Sequence, residues 1–475
     1  MNLTGGDARS ARLIQLAPLL VLSLTITACG SAPPVAPPQL DIDIPSASWG
    51  VQDSTGVAAV ADSVLLDLRW WESFGDSTLN GLVEEALLSN YDLQAAAARV
   101  EQALAAARIT RSEGLPQVNG GLSAQRSKQN FLGFPIPGTG GGPTTSTTSI
   151  YNLSADLSGE EALWGRVRDA TSASLADAQA AAADYAGAQL SLSGTPSNAW
   201  FRVLEARYQY DLSVETVATF ERTVDATRSR FARGLTSALD LRLALVDYKS
   251  ALALREIRMQ QLDTAERQVE ILLGRYPRAD LVQQELLPRW VEPVPAGLPA
   301  DLVARRPDLI AAERRLTASG LRVSSAKKNL LPRIALTGSG GTRAEDFGDL
   351  LDGDFGVWNL VGNLVQPIFQ GGRLRAQVQQ TEASERELLS NYANVALRAF
   401  FEVETALYAE RQLREQELYL REASEQAKAA AELARDRYRS GLSDLVTLLI
   451  AQRRAFDSES SWIDVRPAQL DARVD

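Results

Sequence analysis

Histidine is absent from all 475 residues, and cysteine occurs once, as Cys29. Without histidine there is no Ser-His-Asp triad, no His-ligated metal and no imidazole acid or base. One cysteine allows neither an intrachain disulfide nor a Cys-rich zinc site. The sequence also lacks a strongly basic block: Lys+Arg number 48 against 59 Asp+Glu, a net charge of −11, which argues against a nucleic-acid partner. No phosphate-binding loop is found, so neither a catalyst nor a resident cofactor is expected. Charged residues at 23% and a Gly+Pro total of 33 + 20 = 53 are ordinary for a folded chain, so wholesale disorder is excluded. The 45% apolar content is ample for sizeable cores over two or three domains.

The first residues read as an address. Arg9 and Arg12 precede an apolar run from Leu13 to Ala28, and Cys29 follows. A basic start, a short apolar stretch and small residues before a cut describe a secretory signal, and the run is short for a membrane-spanning helix. Cys29 then has two readings, a lipidated new N-terminus or a lone thiol packed as a small hydrophobe. Beyond it, Ser31 to Pro45 carries Pro33, Pro34, Pro37, Pro38 and Pro45, a composition for an extended tether.

The rest of the chain contains itself twice. Asn90-Tyr91-Asp92-Leu93 matches Arg306-Pro307-Asp308-Leu309, and Leu115-Pro116 matches Leu331-Pro332, both at 331 − 115 = 216. Gly165-Arg166 matches Gly372-Arg373 at 372 − 165 = 207, and Gly234-Leu235 matches Gly441-Leu442 at the same shift. The first unit therefore carries 216 − 207 = 9 extra residues between Pro116 and Gly165. The ungapped register after Gly165 suits a long helix, where one insertion would rotate every later side chain by about 100°. The expected boundaries are 1–28 signal, 29–69 tether, 70–270 first unit, 271–299 linker and 300–475 second unit.

Each unit reads helix, two strands, long helix, turn, helix. The opening helix is expected from Thr78 to Ser112, rich in Ala, Leu, Glu and Arg. Val118, Gly120, Leu122 and Ala124 alternate with polar residues, as do Tyr151, Leu153, Ala155 and Leu157. In the second unit Ile334, Leu336 and Gly338 precede an acidic loop, Glu345 to Asp354, and Trp358, Leu360, Gly362 and Leu364 share one face of the return strand. Segments of about ten residues suit tilted membrane strands, although a soluble hairpin gives the same alternation. The stretch Phe131 to Thr148 must be loop, and extracellular if the strands span a membrane. Tyr210, Val217, Val224 and Phe231 recur every seven residues, as do Leu413, Leu420, Ala427 and Ala434. Such seams indicate antiparallel coiled-coil pairing across the turns at Gly234 and Gly441; a plain bundle or filament shares that period.

Taken together, several segments make the sequence resemble the TolC family, in particular the NodT-type lipoproteins of tripartite efflux systems. They are Trp70-Trp71-Glu72-Ser73-Phe74, Asn90-Tyr91-Asp92-Leu93, Leu273-Gly274-Arg275, Arg305-Arg306-Pro307-Asp308-Leu309, Pro367-Ile368-Phe369-Gln370-Gly371-Gly372-Arg373-Leu374, and Arg437-Tyr438 with Gly441-Leu442-Ser443. Ile26-Thr27-Ala28-Cys29 resembles the lipobox of bacterial lipoproteins, with the cysteine as the acylated residue. The resemblance implies an α+β membrane protein with internal duplication. Its fold would be a trimeric 12-stranded outer-membrane β-barrel, four strands per chain, continued by a long periplasmic α-helical barrel. Strand arithmetic alone requires at least two chains, because four strands cannot close a barrel.

The resemblance also implies a function, an exit duct of a tripartite efflux pump, with a protein-secretion duct or a poreless scaffold as alternatives. Its partners would be a periplasmic adaptor, an inner-membrane pump of the RND type, outer-membrane lipid and two further copies of the chain. Gly234, Leu235 and Thr236, with Gly441, Leu442 and Ser443, match the tips that meet the adaptor. Asp240 and Tyr438 match positions whose links hold the periplasmic end closed. The acidic constriction of relatives falls on Thr447 and Ile450, and a neighbouring cationic position falls on Ser443. Gly194-Thr195-Pro196-Ser197 interrupts the first long helix, where proline removes a backbone bond and should kink or split it.

Overall fold

The computed structural model of the protein describes residues 69–131, 144–161, 163–281 and 305–474. Cys29, the signal and the tether lie outside the described residues, as do 132–143 of the expected extracellular loop and most of the 271–299 linker.

The first unit opens with a 3-10 turn, Trp70–Phe74, then α1 (Ser77–Ser89), α2 (Tyr91–Ser112), β1 (Gln117–Phe131), β2 (Thr144–Glu161), α3 (Arg166–Ala232) and α4 (Ala238–Leu272). The second runs α5 (Pro307–Lys328), β3 (Arg333–Ala344), two 3-10 turns in the acidic loop, β4 (Gly356–Val365), α6 (Arg373–Arg439) and α7 (Leu445–Val474). The internal repeat is visible in the lengths: α3 and α6 each have 67 residues, about 100 Å at 1.5 Å per residue.

The opening helix is two helices, not one. Asn90 is extended (φ −68, ψ 128) and its Oδ1 accepts from the N–H groups of Asp92 at 2.9 Å and Leu93 at 3.1 Å, capping α2. Its Nδ2 donates to Leu272 O at 3.0 Å, so the break also ties α2 to the end of α4. Asp76 caps α1 in the same way and accepts a 2.7 Å bond from Trp200 Nε1, 124 residues away.

The four strands form one antiparallel sheet in the order β1-β2-β3-β4. Leu122 pairs with Leu153, Leu157 with Gly338, and Gly338 with Leu360. This register gathers Val118, Leu122, Leu153, Leu157, Leu360 and Leu364 on one face, with Trp358 83% exposed beside them. The opposite face carries Asn119, Ser123, Asn152, Ser158, Thr337 and Asn359. A sheet apolar on its outer face and polar on its inner face is the wall of a membrane barrel. The first-unit strands, at 15 and 18 residues, extend into the stretch expected to be loop.

α5 lies between α3 and α6. Its contact with α3 is lined by Ala173, Ala176 and Ala318, small residues that let the helices approach closely. Lys328–Asp169 (2.5 Å), Arg322–Asp177 and Arg315–Asp184 run alongside as an antiparallel ladder. Lys327–Glu382 (2.9 Å) and Arg306–Glu402 (2.6 Å) fasten its other side to α6. Along the seven-residue seams Val217, Val224 and Ala434 are buried, Tyr210, Leu413, Leu420 and Ala427 are half-buried, and Phe231 is exposed in the last turn of α3.

Proline at 196 does not split α3. Pro196 is buried inside a continuous helix. Ser193, Thr195 and Ser197 each donate their hydroxyl to a carbonyl one turn back, at 2.7, 2.8 and 3.0 Å. Trp70 Nε1 binds Ser193 Oγ at 3.0 Å, and Trp71, Phe74, Trp200, Phe201 and Leu204 pack into one cluster around this segment. Tertiary packing over one missing backbone bond keeps the helix intact, since local propensity is a weak term beside such burial.

Candidate functional site: helix tips and barrel wall

Both helical hairpins turn on the same device. Gly234 (φ 72) follows α3; its N–H binds Phe231 O at 2.9 Å, and the N–H of Leu235 binds Arg230 O at 2.9 Å. Gly441 (φ 75) repeats this after α6, with bonds of 3.1 Å to Tyr438 O and, from Leu442, 2.8 Å to Arg437 O. These are Schellman turns, in which the left-handed residue favours glycine. The residue after such a glycine usually packs back on its own helix. Here Arg230 and Arg437 stand at the position it would cover, and Leu235 and Leu442 are 62% and 71% exposed.

The next residues start the returning helices. Asp240 Oδ2 accepts from the Thr236 hydroxyl at 2.6 Å, the Ser237 hydroxyl at 2.8 Å and the Ser237 N–H at 3.0 Å. These donors, the Thr236 hydroxyl first, hold its carboxyl below the usual aspartate range. Ser237 Oγ accepts in return from Asp240 N, completing a capping box. In the second hairpin Asp444 Oδ1 accepts from Thr447 N at 2.8 Å. Thr447 lowers the Asp444 pKa through its backbone N–H, while the nearby charge of Asp240 opposes the shift. Ser443 is half-buried, and Thr447 and Ile450 are exposed on α7.

Tyr438 is buried in the core that joins the two hairpins. Its hydroxyl lies 3.4 Å from Thr227 Oγ1, its carbonyl accepts from Arg230 at 2.9 Å, and the Arg230 guanidinium sits 4.7 Å over its ring. Among the described residues no hydrogen bond joins Asp240 to Tyr438.

A different pair crosses between the hairpins, one that the sequence pattern did not single out. Asp247 on α4 is 5% exposed and takes both the Nε (3.2 Å) and an Nη of Arg453 on α7. Thr223 on α3 and Gln452 on α7 meet beside it at 3.3 Å. The available signal was an aspartate set between Ala244 and Ala251 on a buried helix face, a charge at core spacing.

Comparison with known proteins now decides the family. The family model for outer membrane efflux proteins matches residues 82–275 and 298–475, one stretch in each repeat. The chain belongs to that family. It is 33% identical over 467 residues to the pyoverdine export outer membrane protein OpmQ of Pseudomonas putida, covering 96% of this chain and 95% of that one. Among solved structures, a membrane protein from Pseudomonas aeruginosa matches at TM-score 0.82 and 30% identity, over 94% of this chain and 98% of that one. The outer-membrane channel OprN matches at TM-score 0.81 and 27% identity, over 93% and 97%.

The channel therefore has the architecture expected from its sequence. Three chains, each giving four strands, complete the outer-membrane barrel, and the long helices continue it into the periplasm. The unpaired edges of β1 and β4 are where neighbouring copies join the sheet. Its function is that of an efflux exit duct, the outer-membrane component of a tripartite system.

Proposed function

We propose that the duct carries small molecules delivered by an inner-membrane pump of the RND type, through an adaptor that docks on the two helical tips. The observation that carries this is the pair of exposed leucines, Leu235 and Leu442, repeated at the same step of two Schellman turns. Six such tips around a trimer form a ring, and burying one leucine contributes about 1.5–3 kcal/mol, multiplied by repetition. Gly234, Thr236, Gly441 and Ser443 give the turns their shape and rim. Relatives are named for pyoverdine, toluene and antibiotic efflux, a spread that fits a passive duct whose pump selects the cargo. Cys29 carries the lipid that anchors the mature chain.

The closed state is held between the hairpins. Asp240 and Tyr438 contribute, but the carboxylate of Asp240 is engaged in its own helix cap, which favours Asp247–Arg453 as the principal latch. Replacing Leu235 and Leu442 with Asp tests docking. Adaptor cross-linking and export should be lost while the heat-resistant trimer persists. Normal export would refute the docking role, and loss of the trimer would place these leucines in the helical core.

A further inference from the structure

Beside the sheet the helices touch in the order α2, α3, α5, α6, and two kinds of contact alternate along this row. The first kind occurs twice. Ser174 and Thr110 meet at 3.1 Å between α3 and α2, and one residue beyond their repeat mates Glu382 and Lys327 meet at 2.9 Å between α6 and α5. The second kind, α3 against α5, occurs once: the alanine contact and the ion ladder described above. Its repeat mate would join α6 to α2, yet those helices stand at opposite ends of the row.

The faces that such a contact needs are uncovered. The α3–α5 cluster consists of Ala173, Ala176 and Ala318, all buried, with Leu321 half-buried beside them. Shifted by 207 on the long helix and by 216 on the short one, these positions become Gln380, Ala383, Gln102 and Ala105. All four are exposed in the single chain. The strands indicate what covers them. α2 leads into β1 and β4 leads into α6, so joining the β1 edge of one copy to the β4 edge of the next brings α2 beside the neighbour's α6.

We propose that α2 of one chain packs against α6 of the next, antiparallel and in the register in which α5 packs against α3. The occupant of the uncovered faces is a second copy of this chain, and the repeat shifts fix which residues meet. Arg322–Asp177 becomes Ala106 facing Ser384, Arg315–Asp184 becomes Arg99 facing Asn391, and Lys328–Asp169 becomes Ser112 facing Ala376. No ion pair survives the shift at these three steps. The seam between copies keeps small side chains for close approach and loses the ladder, a small loss because exposed ion pairs add little. It rests on the trimer and is independent of the docking and gating proposed above.

The test is thiol cross-linking in the full-length trimer, whose sole native cysteine is Cys29. Ala106→Cys combined with Ser384→Cys, treated with a short bifunctional thiol reagent, should give covalent dimer and trimer on a denaturing gel. Arg99→Cys with Asn391→Cys should do the same. Either single variant of the first pair should stay monomeric on that gel. Ala106→Cys with Asn391→Cys should also stay monomeric, because seven residues displace the thiols by about 10 Å along the helix. Silence of both matched pairs in a heat-resistant trimer overturns the seam, and equal reaction of the mismatched pair overturns its register. A charge arm reads the same contact without cysteine. Ala106→Glu with Ser384→Asp sets like charges against each other and should lose the heat-resistant trimer, whereas Ala106→Arg with Ser384→Asp rebuilds a rung of the ladder and should keep it. Equal behaviour of these two variants overturns the facing of Ala106 and Ser384.

Discussion

Removing Arg453 should bias the tips toward opening. Arg453→Ala leaves the Asp247 carboxylate 5% exposed with its cation gone, beside the tip core of Ala244, Ala251, Leu448 and Leu449. Breaking a fully buried pair from one side costs about 3–5 kcal/mol. Arg453 is itself 55% exposed, so water screens part of that, and about 2 kcal/mol per chain is the reasonable size. At about 1.4 kcal/mol per decade, this shifts the balance between closed and open hairpins roughly 30-fold in each chain. Asp247→Asn removes the charge but keeps the shape, and should cost less. The double variant Asp247→Ala with Arg453→Ala should fall back toward wild type, since no charge is then left buried. The assays are open probability in planar bilayers and entry of a large antibiotic into intact cells. The reasoning fails if Arg453→Ala matches the wild type, or if the double variant is as open as the single one.

Further outcomes can be checked separately. Mass spectrometry of the mature N-terminus should find Cys29 acylated, and an unmodified thiol in outer-membrane protein would sink the anchor. Asp240→Ala removes the capping carboxylate of α4 and should destabilise that hairpin by about 0.5–2 kcal/mol, read as a shift in thermal unfolding. Because the folded Asp240 pKa is lowered, its ionised contribution is present above about pH 3.8 and is lost as pH falls through the lowered value. The wild-type minus Asp240→Ala difference should therefore be constant from pH 6 to 8 and shrink only in acid. An epitope inserted beside Gly353, between β3 and β4, should be reached by antibody on intact cells; reactivity only after permeabilisation would invert the barrel.

The features legible in the sequence were those written in local pattern. The two long helices, their seven-residue seams and the glycine turns each depend on neighbours within a few residues, and they appear as expected except where the first seam ends on the exposed Phe231. The alternation from Val118 to Ala124 and from Trp358 to Leu364 likewise placed the apolar face of the sheet. What escaped was decided at long range. Asn90 stands within a helix-forming run, and what fixes it as a break includes Leu272 O, 182 residues away. Pro196 read as a break because its local cost is visible, whereas the cluster of Trp71, Phe74, Trp200 and Phe201 that holds the helix through it comes from separate segments. Asp240 matched a family position, yet its donors are its own cap; Asp247 has its partner 206 residues along the chain.

Single-channel recording of the purified full-length protein in a planar lipid bilayer tests the duct most directly. Three chains closing a barrel lined by Asn119, Ser123, Asn152 and Thr337 should give discrete, uniform conductance steps that scale with salt. A heat-resistant trimer that inserts into the bilayer and leaves it electrically silent, both as wild type and as Arg453→Ala, would contradict it.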